Sequence, residues 1–177
     1  EGDHIFLLGE IKNDINSSQY LSKLCGVEFS PAPEFDLEKE FQTQQLIIEL
    51  IDKHAIQSAH DVSEGGAFIT LIESCFNRNK GFDVKTINNN IRKDAIWFGE
   101  SQSRVVVSVA EYQLENFLKI VHNSGIALFS LGKVTDGIIK VDGEHWGEIE
   151  EWKDLYNTTI EKYLAKELES KGALGMI

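Results

Sequence analysis

Along this chain the apolar residues switch period repeatedly. Short runs that read as buried strands alternate with longer stretches in which apolar residues return every three or four positions. His4 to Ile11, Gly81 to Thr86, Arg104 to Val109, Ala127 to Val134 and Gly137 to Val141 are of the first kind. Leu37 to about Ala55, Phe68 to Phe76, Glu111 to His122 and Ile149 to Lys166 are of the second. Such alternation without an internal repeat predicts an α/β domain of three layers, α/β/α, with helices on a mixed sheet around a single core. The 177 residues suffice for this, since a chain of that size buries about two thirds of its unfolded surface.

Local signals set the boundaries. Asn16-Ser17-Ser18 can cap a short helix that Gly26 ends. Pro31 and Pro33 make Val27 to Phe35 a loop, because proline lacks a backbone donor and biases its predecessor away from helix. Asp36 can cap the next helix, whose Leu37, Phe41, Ile47, Ile48, Leu50 and Ile51 are expected to form one apolar stripe. Ile56 to Val62 reads as extended, Asn88-Asn89-Asn90 as a polar loop, and Thr135-Asp136 as the break between two strands. A single domain is expected over 1–169, with 1–11 leading in as a strand and 170–177 as a frayed tail. The start at Glu1, almost directly on a strand, is what a piece cut from a longer polypeptide would show, and what a processed natural terminus would show equally.

A formal net charge of −12 opposes a nucleic-acid partner, and no Lys/Arg cluster offsets it. No apolar run approaches the ~20 residues of a membrane span. Cys25 and Cys75, without close pairing or neighbouring ligands, signal neither a disulfide framework nor zinc, and a reducing cytoplasm suits them.

Two segments could carry chemistry. In His60-Asp61-Val62-Ser63-Glu64-Gly65-Gly66-Ala67 a strand runs into a helix through paired glycines. Gly65 and Gly66 would let a ligand approach, Ser63 and the helix N–H groups would offer donors to phosphate, and Asp61 with Glu64 could hold magnesium. The plainer reading is a helix capped by Ser63 after a tight turn. In Phe98-Gly99-Glu100-Ser101-Gln102-Ser103-Arg104 polar side chains crowd the entrance of a strand. There Glu100, Ser101 and Gln102 could contact a substrate and Arg104 could pair with a phosphate, or the segment could be an ordinary loop with Arg104 in a surface ion pair. His60 and His145 read as structural, and Trp97, Trp146 and Trp152 as packing.

The wording of both segments resembles the C-terminal domain of the second half of phosphoribosylformylglycinamidine synthase, large subunit. Gly2-Asp3-His4-Ile5-Phe6-Leu7-Leu8-Gly9-Glu10 and Leu131-Gly132-Lys133-Val134-Thr135 resemble that family as well. Either main motif alone is shared with aminoimidazole-ribonucleotide synthetase, selenophosphate synthetase and hydrogenase-maturation proteins. The resemblance implies an aminoimidazole-ribonucleotide synthetase C-terminal-domain-like fold and a part in ATP-dependent, glutamine-dependent conversion of formylglycinamide ribonucleotide to the amidine. It implies ATP and magnesium as cofactors, with Asp61 on the metal and Ser63, Gly65, Gly66, Glu100, Ser101, Gln102 and Arg104 about the nucleotide or phosphate. In the second half the family has an auxiliary nucleotide site, so a noncatalytic scaffold is the competing implication, and another superfamily member such as selenophosphate synthetase a third. The implied partners are the preceding ATP-binding domains and a glutaminase. Alone, the piece is expected to be inactive and to expose an apolar face through which it self-associates.

Overall fold

The computed structural model describes residues 1–87 and 90–174, with side chains through Glu167. The elements are β1 (His4–Leu8), a single π-type turn (Tyr20–Leu24), α1 (Leu37–Asp52), β2 (Ser58–Asp61), α2 (Gly66–Cys75), β3 (Gly81–Val84) and α3 (Lys93–Phe98). They continue with β4 (Val105–Val109), α4 (Leu114–Ser124), β5 (Leu128–Thr135), β6 (Ile138–Val141), β7 (Glu144–Glu148) and α5 (Ile149–Leu174). The seven strands form one sheet in the order β2-β4-β1-β5-β3-β6-β7. β3 and β6 run parallel while the other described pairs are antiparallel, so the sheet is mixed, as its sequence predicts.

β1 lies inside the sheet between β4 and β5, and its alternate side chains enter different layers. Ile5 and Leu7 join α2 and α3 through Phe68, Leu71, Ile96 and Trp97, whereas Phe6 and Leu8 join α1 and α4 through Leu46, Leu50, Phe117 and Val121. The expected single core is therefore two cores, one per sheet face, because a strand covered on both sides cannot send its side chains to one place.

Asp36 caps α1, its carboxylate accepting the Glu38 and Lys39 N–H groups. The stripe expected on this helix divides. Thr43, Leu46 and Leu50 face the core, while Leu37, Phe41, Ile48 and Ile51 are each more than half exposed. Periodicity registers a face but not which of two apolar faces the sheet covers. Two elements lack a sequence-based expectation. One is α3, a short helix that follows the asparagine run. The other is β7, joined to β6 by Asp142 (φ 54°) and Gly143 (φ 82°), an Asp-Gly pair suited to a two-residue hairpin. α5 continues past Lys166 to Leu174. Asn88 and Asn89 of the expected loop and 175–177 of the expected tail lie outside the described residues.

Asp142 also ties the hairpin to the strand beside it. The Thr86 N–H donates to Oδ1 (2.6 Å), and the Thr86 hydroxyl (2.7 Å) and Lys93 Nζ (2.9 Å) donate to Oδ2. The Thr86 hydroxyl bond foremost, with the Thr86 N–H and Lys93, holds this carboxyl down to about 2 against partial desolvation. Its folded value is depressed, so the stabilisation is complete above the unfolded value near 4 and is lost as pH falls through about 2. Asp142→Asn should cost about 1–2 kcal/mol at pH 6, discounted for solvent screening, and the deficit should close between about pH 4 and pH 2. Urea unfolding of both proteins across that range measures it, and a deficit unchanged down to pH 2 would mean that the charge is not its source.

Candidate functional site

Among the described residues β2 is an edge strand paired with β4 alone, and both candidate segments leave this pair at the same end. Asp61 lies opposite Val105 in the register, and the Val62 N–H donates to the Arg104 carbonyl (2.9 Å). The chain then turns at Gly65 (φ 84°) and Gly66 (φ 74°) into α2. Left-handed backbone favours glycine here, and at Gly66 space requires it too. A Cβ on Gly66 would lie 2.7 Å from the Phe98 Cα and 2.8 Å from the Gly99 carbonyl oxygen. The start of α2 thus sits directly on the end of α3.

Glu100 completes the junction. Its Oε1 accepts the Gly65 N–H at 2.8 Å and the Gln19 N–H at 2.7 Å. One carboxylate oxygen therefore joins the glycine turn, the polar segment before β4 and the π-type turn near the beginning of the chain. Tyr20, next to Gln19, stacks on Phe98 with ring centroids 5.3 Å apart and planes 6° from parallel. The participation of Gln19 and Tyr20 has no sequence signal, since the contact spans 81 positions and uses a backbone N–H that any residue supplies.

The remaining candidates diverge in orientation. Ser101 is buried and offers its carbonyl inward, while Gln102 is exposed and lines an open groove of about 750 Å³ between α1 and β2. Ser63 is exposed and its carbonyl accepts the Gly66 N–H at 3.1 Å; the N-cap of α2 is Gly65, which has no side chain of its own to cap the helix, so Ser63 is not the cap. Arg104 is 2% exposed. Its Nε donates to the Ser101 carbonyl (3.0 Å) and its Nη2 to the Gly99 carbonyl (2.6 Å), while Nη1 is buried without a partner. Burial pulls its guanidinium down to about 10, partly offset by Glu100, so it stays protonated at neutral pH. A surface ion pair, the plainer sequence reading of Arg104, is excluded by this burial.

Asp61 presents an exposed carboxylate at the end of β2, 3.8 Å from His60 Nδ1. His60 also approaches Glu73 at 3.6 Å. Among the described residues no group of three or more His, Cys, Asp or Glu could hold a metal ion, so a cation at Asp61 would need most of its oxygens from a ligand. Burial pushes the Cys75 thiol up to about 12, which removes it as a nucleophile. Trp97 and Trp152 use their indole N–H groups on Thr86 and on the Trp146 carbonyl, and Trp146 and Trp152 pack on Phe68. The tryptophans are packing residues.

This sheet, with its glycine turn locked onto a polar strand entrance, defines the class: the chain belongs to the family "AIR synthase related protein, C-terminal domain", whose model matches residues 1–143. Within that class its relatives include phosphoribosylformylglycinamidine synthase subunit PurL of Caldanaerobacter subterraneus subsp. tengcongensis, 37% identical over 146 residues, which is 81% of this chain and 20% of the relative. The PurL of Aquifex aeolicus is 32% identical over 167 residues, 90% of this chain and 22% of the relative. The chain spans about a fifth of the length of these relatives. Among solved structures, T. maritima PurL complexed with FGAR superposes with a TM-score of 0.68 at 17% identity, over 83% of this chain and 27% of that one. A thiamine-monophosphate kinase from Stenotrophomonas maltophilia gives 0.54 at 18% identity, over 81% and 51%. Identities this low show a common fold. The resemblance read from the two motifs agrees with the names of the relatives.

Proposed function

We propose that this chain is the C-terminal domain of a phosphoribosylformylglycinamidine synthase and serves that ATP-dependent carbon–nitrogen ligase as one part of a longer cytoplasmic polypeptide. The full enzyme would convert formylglycinamide ribonucleotide, ATP and glutamine-derived ammonia to the amidine, and the domain alone would be inactive. The observation that carries this reading is the contact of Glu100 with Gly65, which joins the two segments that resemble the family. Ser63, Gly65 and Glu100 would then meet a nucleotide or phosphate, Gln102 would reach it from the neighbouring groove, Gly66, Ser101 and Arg104 would hold the two segments behind them, and Asp61 would contribute one oxygen to magnesium whose other ligands include phosphate.

The preceding ATP-binding domains would cover the outward stripe of α1, and a glutaminase subunit or domain would supply ammonia. The test is a chimera in which residues 1–169 replace the corresponding domain of the Caldanaerobacter PurL. ATP- and formylglycinamide-ribonucleotide-dependent ADP release should persist in the chimera and be absent from the 177-residue chain. In sedimentation the chain alone should self-associate, and Ile48→Glu should return it to monomer. A folded chimera without turnover, or measurable turnover by the chain alone, would refute the assignment.

A further inference from the structure

The two edges of the sheet are finished differently. At one edge β7 carries Glu144 and Glu148, its register with β6 shifts, and α5 folds back on it. The Trp152 indole N–H donates to the Trp146 carbonyl (2.9 Å), and the Glu151 carboxylate accepts the Glu148 N–H (3.3 Å). Charges, an irregular register and cover are the devices that keep an edge strand from pairing further. β2, at the other edge among the described residues, pairs regularly with β4 and carries one acidic residue, at its last position. Because the Val62 N–H is bonded to the Arg104 carbonyl, the alternation of an antiparallel ladder turns the Ala59 and Asp61 N–H groups away from β4. The Asp61 carbonyl meets the Thr70 hydroxyl (3.3 Å) and His60 Nδ1 (2.8 Å), while no described strand lies where the two N–H groups and the Ala59 carbonyl point.

The groove of about 750 Å³ runs along this unguarded edge, with Ile47, Ile48 and Ile51 of α1 on one wall and Ala59 and Val105 on the other. Ile48 and Ile51 are each more than half exposed, and Ala59, on the same side of the sheet as Val107, has only a methyl group to offer them. Toward Asp61 the groove changes character. Glu40 and Asp61 line it, no lysine does, and Arg104 is buried there and engaged with the Ser101 and Gly99 carbonyls. The complement of such a groove is an extended chain, apolar against the isoleucines and positive at the acidic end.

We infer that β2 receives a further strand, an extended segment from the rest of the synthase polypeptide that sets an apolar side chain against Ile48 and Ile51 and a lysine or arginine toward Glu40. This rests on the reading of the chain as one domain of that enzyme and adds how the preceding ATP-binding domains are held. Backbone bonds to β2 supply the strength, and the two side-chain positions supply the register. β2 runs directly into Asp61 and the glycine turn, so a strand on this edge brings its own domain beside Ser63 and Gly65. A second copy of this chain is the poorer occupant, because its β2, Ser-Ala-His-Asp, has no lysine or arginine to bring to the acidic end.

Hydrogen exchange read by mass on a peptide covering 57–62 tests this, in the chimera that carries residues 1–169 and in the 177-residue chain diluted until it sediments as a monomer. The Ala59 and Asp61 amides should exchange about tenfold more slowly in the chimera. Ala59→Pro removes one outward N–H without touching the ladder to β4 and should cancel the protection at Asp61 as well. Glu40→Gln, which keeps an acceptor for the Ser103 hydroxyl, should reduce the protection severalfold, and an unchanged value would refute the charge match. Equal exchange in the chimera and the monomeric chain refutes the added strand, even where the chimera turns over and the functional assignment stands. Protection without turnover separates the two the other way, keeping the strand while the assignment fails. Protection that arises only as the 177-residue chain is concentrated gives the edge to a second copy and overturns the proposal. Should Ala59→Pro not fold, the comparison of the unmodified proteins decides the matter.

Discussion

Gly66→Ala is expected to destabilise the domain by about 3 kcal/mol or more, which would make it among the most damaging single-methyl additions in the chain. Two costs coincide at this position. The residue is left-handed, with φ 74°, which costs an L side chain about 1–2 kcal/mol. The added carbon would also lie within 2.8 Å of backbone atoms of Phe98, Trp97 and Gly99, none of which can rotate away. Relief requires α2 and the end of α3 to separate, which would lengthen the contact between Gly65 and Glu100. Gly125, which ends α4 with φ 72°, isolates the first cost because nothing lies within 4 Å of its would-be Cβ. Gly125→Ala should therefore cost only about 1 kcal/mol. Urea unfolding of the two variants gives the difference directly, and equal losses would mean that the steric term at Gly66 is absent.

Arg104→Lys should cost about 2–4 kcal/mol despite keeping the charge, since each bond from a charged donor contributes about 1.5–3 kcal/mol and one of two is lost. The fork of Nε and Nη2 spans two carbonyls at once, Ser101 and Gly99, and an ammonium reaches one of them while the other stays buried. The loss should show as faster amide exchange in the segment from Gly99 to Ser103 and a melting temperature lower by several degrees. A lysine variant melting within about one degree of wild type would show that the clamp holds nothing of consequence.

The sequence discloses the layers better than it discloses the site. Strand and helix periods locate β1, α1, α2, β4, α4 and β5 to within a few residues, because the sheet buries whichever residues repeat at the matching period. Periodicity fails on α1, where two apolar faces exist and only contact with the sheet chooses between them. It fails again on β7, whose Glu144 to Glu148 carries no apolar alternation and is a strand because the Asp142-Gly143 turn returns it to β6. In the site, the glycine turn and the polar segment are visible as words in the sequence. Their meeting through one oxygen of Glu100 is not, nor is the inward turn of Arg104, because both depend on β2 pairing with β4 across more than forty intervening residues.

β1 precedes the other strands of its sheet, yet both of its neighbours come late: His4 is paired with Val109 on one side and with Lys133 on the other. No local hairpin can form around it, and its apolar side chains must wait until most of the domain has emerged. Closing contacts of such separation costs loop entropy before any packing is gained, which places the domain among slow folders with high contact order. During that interval the strand His-Ile-Phe-Leu-Leu is an uncovered, uncharged β-former apart from its first residue, open to pairing with another chain. The yield of native protein should therefore depend on how dilute the nascent chains are and on whether a chaperone holds that segment until β5 arrives.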